Sequence, residues 1–266
     1  MMPGMRRFAY WLLLLALTFE VRAQECGKGA ASISIGTDRP QVTNSSIVVP
    51  CGSLQFENGF LETGGGGQRT FDLPETSVRL GVAKRTELRL TAPDYFFNQS
   101  TASGQADGFS DLVVGLKQQL GPTWGKFDIS VIPSVSFPSG ADRISSHGYD
   151  PFVQVPWSRA LSSTWTVAGM FSAMWPTNGA RRNVTGQSSV YFDRQITPPW
   201  DAYVEYSGLF PQRGTPQHAI DFGTAYKPSP HQQLDLHCSF GLSAAAPDHS
   251  IGVGYSVRFQ VFGAKK

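Results

Sequence analysis

The residues of this sequence that could take part in chemistry are charged or titratable side chains at alternate positions of otherwise apolar stretches. In residues 86–93, for example, Glu87 and Arg89 alternate with Leu88 and Leu90. Side chains on a β-strand point alternately to opposite faces, so such a stretch has one apolar and one polar face. The polar faces together carry Glu57, Arg79, Glu87, Arg89, Asp111, Lys117, Asp128, Glu205, Asp221, Asp235, His237 and Arg258.

This set mixes both signs of charge, so it is unlike the rings of one sign that select ions in channels. We expect ion pairs and hydrogen bonds that fill a polar interior. Specifically, the order of the strands predicts that Glu87 and Arg89 pair with Arg79 and Asp111. It also predicts that Glu57 pairs with Arg258 where the first and last strands meet.

Covalent chemistry is a rival interpretation, because outer-membrane lipid hydrolases use a histidine with serine and a carboxylate, or a metal-assisted histidine. His237 has Asp235 on the same face of its strand. No hydrolase motif accompanies any histidine, and the spacing typical of metal ligands is absent. We therefore predict no catalytic residue, no metal site and no cofactor. A lipid-modifying hydrolase stays open as an alternative, as does a structural or adhesive barrel. The histidines are His147, His218, His231, His237 and His249.

The elements that position these residues are predicted to be short strands. Alternation begins after Gly52 and recurs with similar length to the end of the chain. This gives about twelve antiparallel strands, an even number, as bacterial single-chain outer-membrane barrels require. We place them at residues 54–60, 70–83, 86–93, 110–120, 126–137, 150–157, 164–175, 187–194, 201–210, 217–226, 232–241 and 250–262.

The connections between these strands alternate in length. Short ones fall at residues 84–86, 121–125, 158–163, 195–200 and 227–231. Longer ones fall at residues 63–69, 94–109, 138–149, 176–186, 211–216 and 242–249. Short turns at one end and long loops at the other are typical of membrane barrels, which also turn their apolar face outward. A soluble β domain, which turns that face inward, is the alternative.

Aromatic residues near the strand ends favour the membrane barrel, because such barrels carry aromatic girdles at both interfaces. We therefore predict an all-β fold, an antiparallel transmembrane β-barrel over residues 51–262 with both termini on the periplasmic side. A tail of residues 263–266 follows. The aromatic residues are Tyr95, Phe96, Phe97, Trp124, Trp157, Trp165, Trp175 and Trp200.

The first 23 residues read as a secretory signal peptide, with two arginines before an apolar run and Val21-Arg22-Ala23 before the cleavage point. Removing them takes three of the 22 basic and one of the 20 acidic residues, which leaves 19 of each. A chain so close to neutral does not have the basic surface of a nucleic-acid-binding protein. Residues 24–50 lack periodicity and form an irregular segment that we expect to gate or narrow the lumen as a plug.

Three cysteines remain in the exported chain. Exported proteins meet oxidising conditions, so Cys26 and Cys51 can close the N-terminal segment with a disulfide. Two unpaired thiols are the other interpretation. Cys238 lies among apolar positions of a late strand and is expected to act as a small hydrophobic residue.

Several short motifs resemble a known family. Thr37-Asp38-Arg39-Pro40, followed by residues 48–50 and 52–60 (VVP and GSLQFENGF), is similar to the opening of bacterial outer-membrane proteins labelled "MetA-pathway of phenol degradation". Further similarity lies at residues 86–90, 108–112, 115–117, 133, 138–140 and 233–235. The resemblance implies a transporter in the bacterial outer membrane that passes small hydrophobic or aromatic compounds. As a membrane barrel, the chain is further expected to contact outer-membrane lipid and lipopolysaccharide, to be inserted by the barrel assembly machinery and to be a monomer.

Overall fold

The protein is a closed β-barrel. A computed structural model describes residue 26 and residues 33–100, 107–123 and 126–263. The predicted signal peptide, Trp124 and residues 264–266 lie outside this part of the chain. The strands are β1 (Ser53–Gly65), β2 (Gln68–Leu73), β3 (Ser77–Ala83), β4 (Thr86–Thr91), β5 (Tyr95–Ser100), β6 (Gly108–Phe109), β7 (Leu112–Gln119), β8 (Asp128–Phe137), β9 (Asp150–Ala160), β10 (Trp165–Met174), β11 (Thr177–Asn178), β12 (Arg181–Arg182), β13 (Thr185–Thr197), β14 (Trp200–Pro211), β15 (Gln217–Ser229), β16 (Gln232–Gly241) and β17 (His249–Gln260).

Twelve of these strands form the wall, each antiparallel to its neighbours. The order is β1, β3, β4, β7, β8, β9, β10, β13, β14, β15, β16 and β17, and β17 pairs back onto β1. The closing ladder is long, running from Ser53 opposite Gln260 to Gly64 opposite His249. Closure satisfies the edge strands of the sheet, which would otherwise present unpaired backbone groups. The predicted fold class and strand number are therefore confirmed.

The barrel turns its apolar side chains outward. On β10 the outward Phe171 is 61% exposed, whereas the wall residues Glu57, Arg79 and Glu87 are 0% exposed. A protein surrounded by water has the opposite arrangement. The outward apolar residues include Leu88, Leu90, Val114, Phe192, Val204, Phe222, Leu234, Leu236, Ile251, Val253 and Phe259. Acyl chains fit this surface, and the polar groups are satisfied inside the barrel.

Two prolines interrupt the strands in the first part of the wall. Pro74 and Pro93 have no backbone N–H to donate to a ladder, so the strands break at residues 74–76 and 92–94. The chain then resumes as strand in the predicted loop 94–109, where β5 pairs with β2 and β6 with β5. The side chain of Asp94 bridges the gap by accepting a hydrogen bond from the N–H of Thr76 at 3.2 Å. These pieces extend the wall at the long-loop end.

Two of the predicted girdle residues lie near short turns and face outward. Trp165 is 40% exposed and Trp200 is 48% exposed. The prediction is wrong for Phe96, which pairs with Asp72 opposite Leu61 and so shares the inward face. The alternation could not reveal this, because the breaks at the two prolines reset the phase of β5.

Among the residues that the structure describes, no helix has the length and apolarity needed to cross a membrane.

Residues 33–50, here called the inner segment, run inside the barrel before the chain enters β1. The segment has no regular secondary structure, yet Ile35, Val48 and Val49 are buried. The backbone N–H of Ile35 donates a hydrogen bond of 2.8 Å to the carbonyl of Pro230, which lies in a short turn. The inner segment therefore occupies the half of the lumen next to the short turns.

Candidate functional site

The lumen beside β1, β3, β4 and β7 is built around Arg79. The guanidinium of this residue contacts Glu57 at 2.8 Å through Nη1 and Glu87 at 2.9 Å through Nε. Lys117 on β7 approaches Glu87 at 3.4 Å, and all four side chains are 0% exposed. Charges so deeply buried are tolerated only where they are paired and hydrogen-bonded. The cluster is thus a fixed part of the wall.

Asp38 of the inner segment completes this cluster. Its carboxylate contacts Arg89 at 2.5 Å and both Arg79 and Lys117 at 3.3 Å. Its backbone N–H donates to Glu57 at 2.9 Å. With Asp38 in place, three carboxylates face three cations. Electrostatic balance of the wall therefore depends on the inner segment.

Other wall side chains hold the backbone of the inner segment, which has no ladder of its own. Glu205 on β14 accepts hydrogen bonds from the N–H groups of Val42 at 2.8 Å and Thr43 at 2.9 Å, and from the Thr43 hydroxyl at 2.6 Å. On the far side of the lumen, Glu87 accepts from the N–H of Val49 at 2.6 Å and Lys117 donates to the carbonyl of Ser45 at 2.8 Å. The segment is thus fastened to opposite walls. Backbone contacts also come from Gln55, Ser130, Gln233 and Arg258.

Arg39 fastens the inner segment to the closing seam. Its guanidinium contacts Glu75 at 2.5 Å and Asp235 at 3.5 Å. Gly59 and Gly254 make room for it, because a Cβ at Gly59 would lie 2.3 Å from the guanidinium and one at Gly254 would lie 2.5 Å from Nε. The Thr-Asp-Arg-Pro motif therefore supplies two anchoring side chains, Asp38 and Arg39.

The lumen changes character at the long-loop end. Here Phe152, Met174 and Leu209 take inward positions on β9, β10 and β14 and line an apolar depression of about 220 Å³. Register places Phe152 opposite Met174, and Met174 opposite Thr185. We call this the mouth pocket. Its remaining lining residues are Ser136, Asp150, Pro151, Trp175, Pro176 and Thr185.

A second cavity, of about 170 Å³, separates the inner segment from β13 to β16. Tyr191 and Tyr203 line it with their ring centroids 6.1 Å apart and their planes at 71°. Asp193, Asp201 and Lys227 lie lower on the same wall, and the Lys227 ammonium contacts Asp201 at 2.6 Å. We call this the tyrosine cavity. It leaves the lumen incompletely filled on this side.

The predicted polar residues occupy several different places. Glu57, Arg79, Glu87, Arg89 and Lys117 meet in one cluster. Glu205 binds the inner segment and Asp235 contacts Arg39. His237 contacts Asp221 at 2.9 Å. Arg258 donates to the carbonyl of Ile33, and Asp128 pairs with Ser158 near the short turns.

Asp111 lies apart from all of these residues. It follows β6 and accepts hydrogen bonds from the backbone N–H groups of Ser139 at 3.1 Å, Gly140 at 2.9 Å and Ser146 at 3.3 Å. The predicted contact with Arg89 is therefore wrong, since Arg89 contacts Glu87 and Asp38 instead. The physical reason is that the ladder between β4 and β7 ends at Thr91 opposite Val113, so that Asp111 lies beyond it at the base of the loop 138–149.

The predicted pairing of Glu57 with Arg258 is also replaced. The closing ladder places Gln55 opposite Arg258, and Glu57 contacts Arg79 on the other neighbouring strand. The predicted contact between Arg79 and Glu87 is present at 2.9 Å. Sequence reasoning missed Thr43, Gln55, Tyr191, Tyr203 and Gln233, because neutral polar residues on an alternating face carry no signal of their own.

The inner segment is also held by a covalent bond. Cys26 and Cys51 form a disulfide across a separation of 25 residues, with their Cα atoms 5.2 Å apart. Cys51 immediately precedes β1 and is buried. The disulfide therefore joins a residue that precedes the inner segment in the chain to the residue that directly follows it, at the short-turn end of the barrel.

The fold and the apolar outer surface define a β-barrel of the bacterial outer membrane. The chain belongs to the family described as "Putative MetA-pathway of phenol degradation", whose sequence pattern matches residues 37–259. The resemblance read from the short motifs is thereby confirmed. No curated protein matches the sequence.

Solved structures similar to this fold include outer-membrane channels and porins. The COG4313 outer membrane channel from Pseudomonas putida F1 superposes with a TM-score of 0.62 at 12% identity, covering 83% of this chain and all 100% of that one. The NanC porin gives 0.55 at 11% identity, covering 77% and 98%. The KdgM porin gives 0.51 at 12% identity, covering 78% and 99%. At these identities the likeness concerns the fold.

Proposed function

We propose that the protein is a plugged channel that lets small apolar solutes, aromatic compounds among them, cross the outer membrane passively. The observation that carries the proposal is the division of the lumen into two layers. Phe152, Met174 and Leu209 present an apolar mouth pocket to the outside. The inner segment and its charged anchors fill the layer below. The transfer of an apolar solute from water into this pocket is favourable in free energy.

The inner segment acts as the plug in this proposal. Its anchors include hydrogen bonds to Glu205 and Glu87 on different walls and the contacts of Asp38 and Arg39. Contacts to ionised groups are the stronger kind of hydrogen bond, so the closed arrangement is the stable one. Passage then requires a subset of these contacts to open. A barrel of twelve strands has a lumen of intermediate width. It is wider than the filled interior of eight-stranded barrels and narrower than the aqueous channel of porins.

No covalent chemistry belongs to this function. His237 is engaged by Asp221, and Ser239 on the same strand forms its hydrogen bond with Ser250 at 2.6 Å. Glu57, Glu87 and Asp235 contact cationic side chains, and Glu205 accepts hydrogen bonds from the inner segment. We further propose that the barrel works as a monomer, is inserted by the barrel assembly machinery and contacts lipopolysaccharide at its outer rim. The family description and the channel fold of the similar structures support the transport role.

Uptake by cells tests the transport role, because pure lipid bilayers are themselves permeable to apolar solutes. Cells of a Gram-negative host would express the wild type, Leu209→Gln, or nothing, and uptake of radiolabelled toluene would be followed. Leu209→Gln removes an apolar side chain from the mouth pocket, so we expect uptake severalfold slower than with the wild type. Ser207→Gln is the matched control, since it lies on the same strand and face but was already polar. Equal uptake with and without the wild-type protein would refute transport.

Conductance tests the plug. The refolded mature protein in a planar bilayer is expected to show rare, small openings, whereas a deletion of residues 27–47 is expected to give a large and continuous current. Glu205→Ala removes a three-bond anchor and is expected to give intermediate, frequent openings. Ser207→Ala, on the same strand and face, is the control. If the deletion variant inserts normally and conducts like the wild type, the inner segment is no plug.

A further inference from the structure

We propose that the tyrosine cavity is a binding site for one neutral aromatic ring that carries a hydroxyl group, that is, a phenol. The inference rests on the proposed function and names a solute class for the lower part of the same path. The argument uses the position of the cavity, its size, its rings and its charges.

The cavity lies where a solute would leave the barrel. It is bounded by the inner segment on one side and by β13, β14, β15 and β16 on the other. Asp201 and Lys227 place it beside the short turns that end β13 and β15. The anchor at Glu205 lies two residues further into the barrel than Tyr203 on the same strand. A solute that has passed this anchor therefore enters the tyrosine cavity before it reaches the periplasm.

The size and the rings suit a single aromatic solute. A volume of about 170 Å³ is close to the ~150 Å³ of an engineered cavity that admits benzene. Tyr203 is held in place, because its hydroxyl donates to Asp221 and its ring packs against Gly223. A Cβ at Gly223 would lie 2.4 Å from this ring. Tyr191 stands at 71° to it. Two rings at this angle offer both the edge and the face that aromatic pairs prefer.

The polar side chains of the tyrosine cavity favour a hydroxyl group on the aromatic ring of the solute. Tyr191 and Asp193 line the cavity, and within the described part of the chain neither side chain forms a hydrogen bond. A phenol can donate its proton to Asp193 and accept from Tyr191, which satisfies both groups. An aromatic hydrocarbon leaves them unsatisfied.

The charges exclude the corresponding acids. Lys227 is neutralised by Asp201 at 2.6 Å, and Arg39 is engaged by Glu75 and Asp235. Among the charged residues that line the cavity, Asp193 is therefore the one without an ion-pair partner in the described part of the chain. A benzoate would bring a second carboxylate against it, and like charges in a confined site repel strongly. The site accordingly admits phenols and rejects aromatic carboxylates.

Direct binding tests this inference independently of transport. The full mature protein would be placed in lipid nanodiscs, and 19F NMR would follow 4-fluorophenol and 4-fluorobenzoate, with empty nanodiscs as the blank. We expect saturable binding of the phenol and none of the benzoate. Tyr191→Phe and Asp193→Asn each remove one hydrogen bond and should weaken phenol binding about 3- to 10-fold. Asp193→Asn should in addition let the benzoate bind.

Tyr226→Phe is the matched control, because Tyr226 lies on β15 but faces outward and is 47% exposed. It should bind 4-fluorophenol like the wild type. Benzoate binding as tight as phenol binding, or Tyr191→Phe and Asp193→Asn variants that bind like the control, would overturn the site. Uptake of toluene without saturable phenol binding would reject the site and leave the transport role standing. Absence of uptake would reject the transport role, whatever the binding result.

Discussion

Gly59 and Gly254 lie directly opposite each other in the ladder that closes the barrel, and the Arg39 side chain occupies the space that two Cβ atoms would need. The seam between the first and last strands is thus also the place where the inner segment is seated. Arg39 reaches Glu75 at the break between β2 and β3 from this position. Closure of the barrel and seating of the inner segment therefore share residues.

Gly59→Ala is expected to unseat Arg39 without unfolding the barrel. A Cβ would lie 2.3 Å from the guanidinium, which is the movable end of a long side chain, so Arg39 should yield and lose Glu75. More frequent channel openings in a planar bilayer are the expected result. Gly186→Ala is the control, because its Cβ would have no neighbour nearer than 3.9 Å. Unchanged openings in Gly59→Ala would show that Arg39 is not an anchor.

Arg79→Met is expected to destabilise the barrel itself. It leaves Glu57 and Glu87 buried with a partner removed, and breaking a buried pair in this way costs about 3–5 kcal/mol. Unfolding in urea, followed by the loss of heat-modifiable migration, measures the change in the free energy of unfolding. The double variant Arg79→Met/Glu87→Gln should recover part of the loss, because it removes one stranded charge.

The control for that experiment is Arg69→Met. Arg69 contacts Glu62 at 3.0 Å, but its side chain is 58% exposed, and exposed pairs contribute about 0–1 kcal/mol. A loss in Arg79→Met no larger than in this control would mean that the buried cluster is not structural. No recovery in the double variant would mean that the two residues act independently.

Local alternation was enough to predict the wall. The two faces of β4 followed from the alternation of Leu88 and Leu90 with Glu87 and Arg89. The number of strands followed from the repetition of that pattern along the chain. The pattern failed where its phase was interrupted, as at Pro93, after which Phe96 faces inward. A break in a strand shifts every following side chain relative to the expected face.

The interior could be predicted only in part, because ion pairs depend on which strand lies beside which. Arg79 and Glu87 are neighbours in a hairpin, so their contact follows from local order. The contacts of Glu205 with Thr43 and of Asp38 with Arg89 join residues that are far apart in the sequence. The inner segment has no periodicity to reveal where it lies. Its polar partners become visible only when the closed wall brings them together.

The disulfide is expected to keep the inner segment seated. The bond between Cys26 and Cys51 closes a loop of the chain that contains the inner segment. Constraining a loop in this way is typically worth about 2–4 kcal/mol. Addition of a reductant, or Cys26→Ser, should therefore increase channel openings. Cys238→Ser should keep the response to reductant, because Cys238 is not in the disulfide. A reductant effect that persists in Cys26→Ser would have to come from another source.

Asp111 is expected to make the outer loop 138–149 sensitive to acid. Burial alone would raise the pKa of this carboxyl, but the Ser145 hydroxyl and the N–H groups of Gly140, Ser146 and Ser139 outweigh burial and lower the pKa from its usual 3.8. A carboxyl whose pKa is lower in the folded state stabilises that state fully above its unfolded pKa. This contribution is lost as pH falls through the folded pKa. The loop should therefore be held at neutral pH and loosen below about pH 4.

Hydrogen exchange of the Gly140 and Ser146 amides, expressed as protection factors to remove the intrinsic pH effect, measures this loosening. Protection in the wild type should fall between pH 5 and pH 3. In Asp111→Asn the amide oxygen cannot replace both carboxylate oxygens, so protection should already be reduced at pH 7 and change little with acid. Asp142→Asn is the control, since its side chain lies in the same loop while Asp111 still holds the backbone. Equal protection in the wild type at pH 3 and pH 7 would show that Asp111 does not hold the loop.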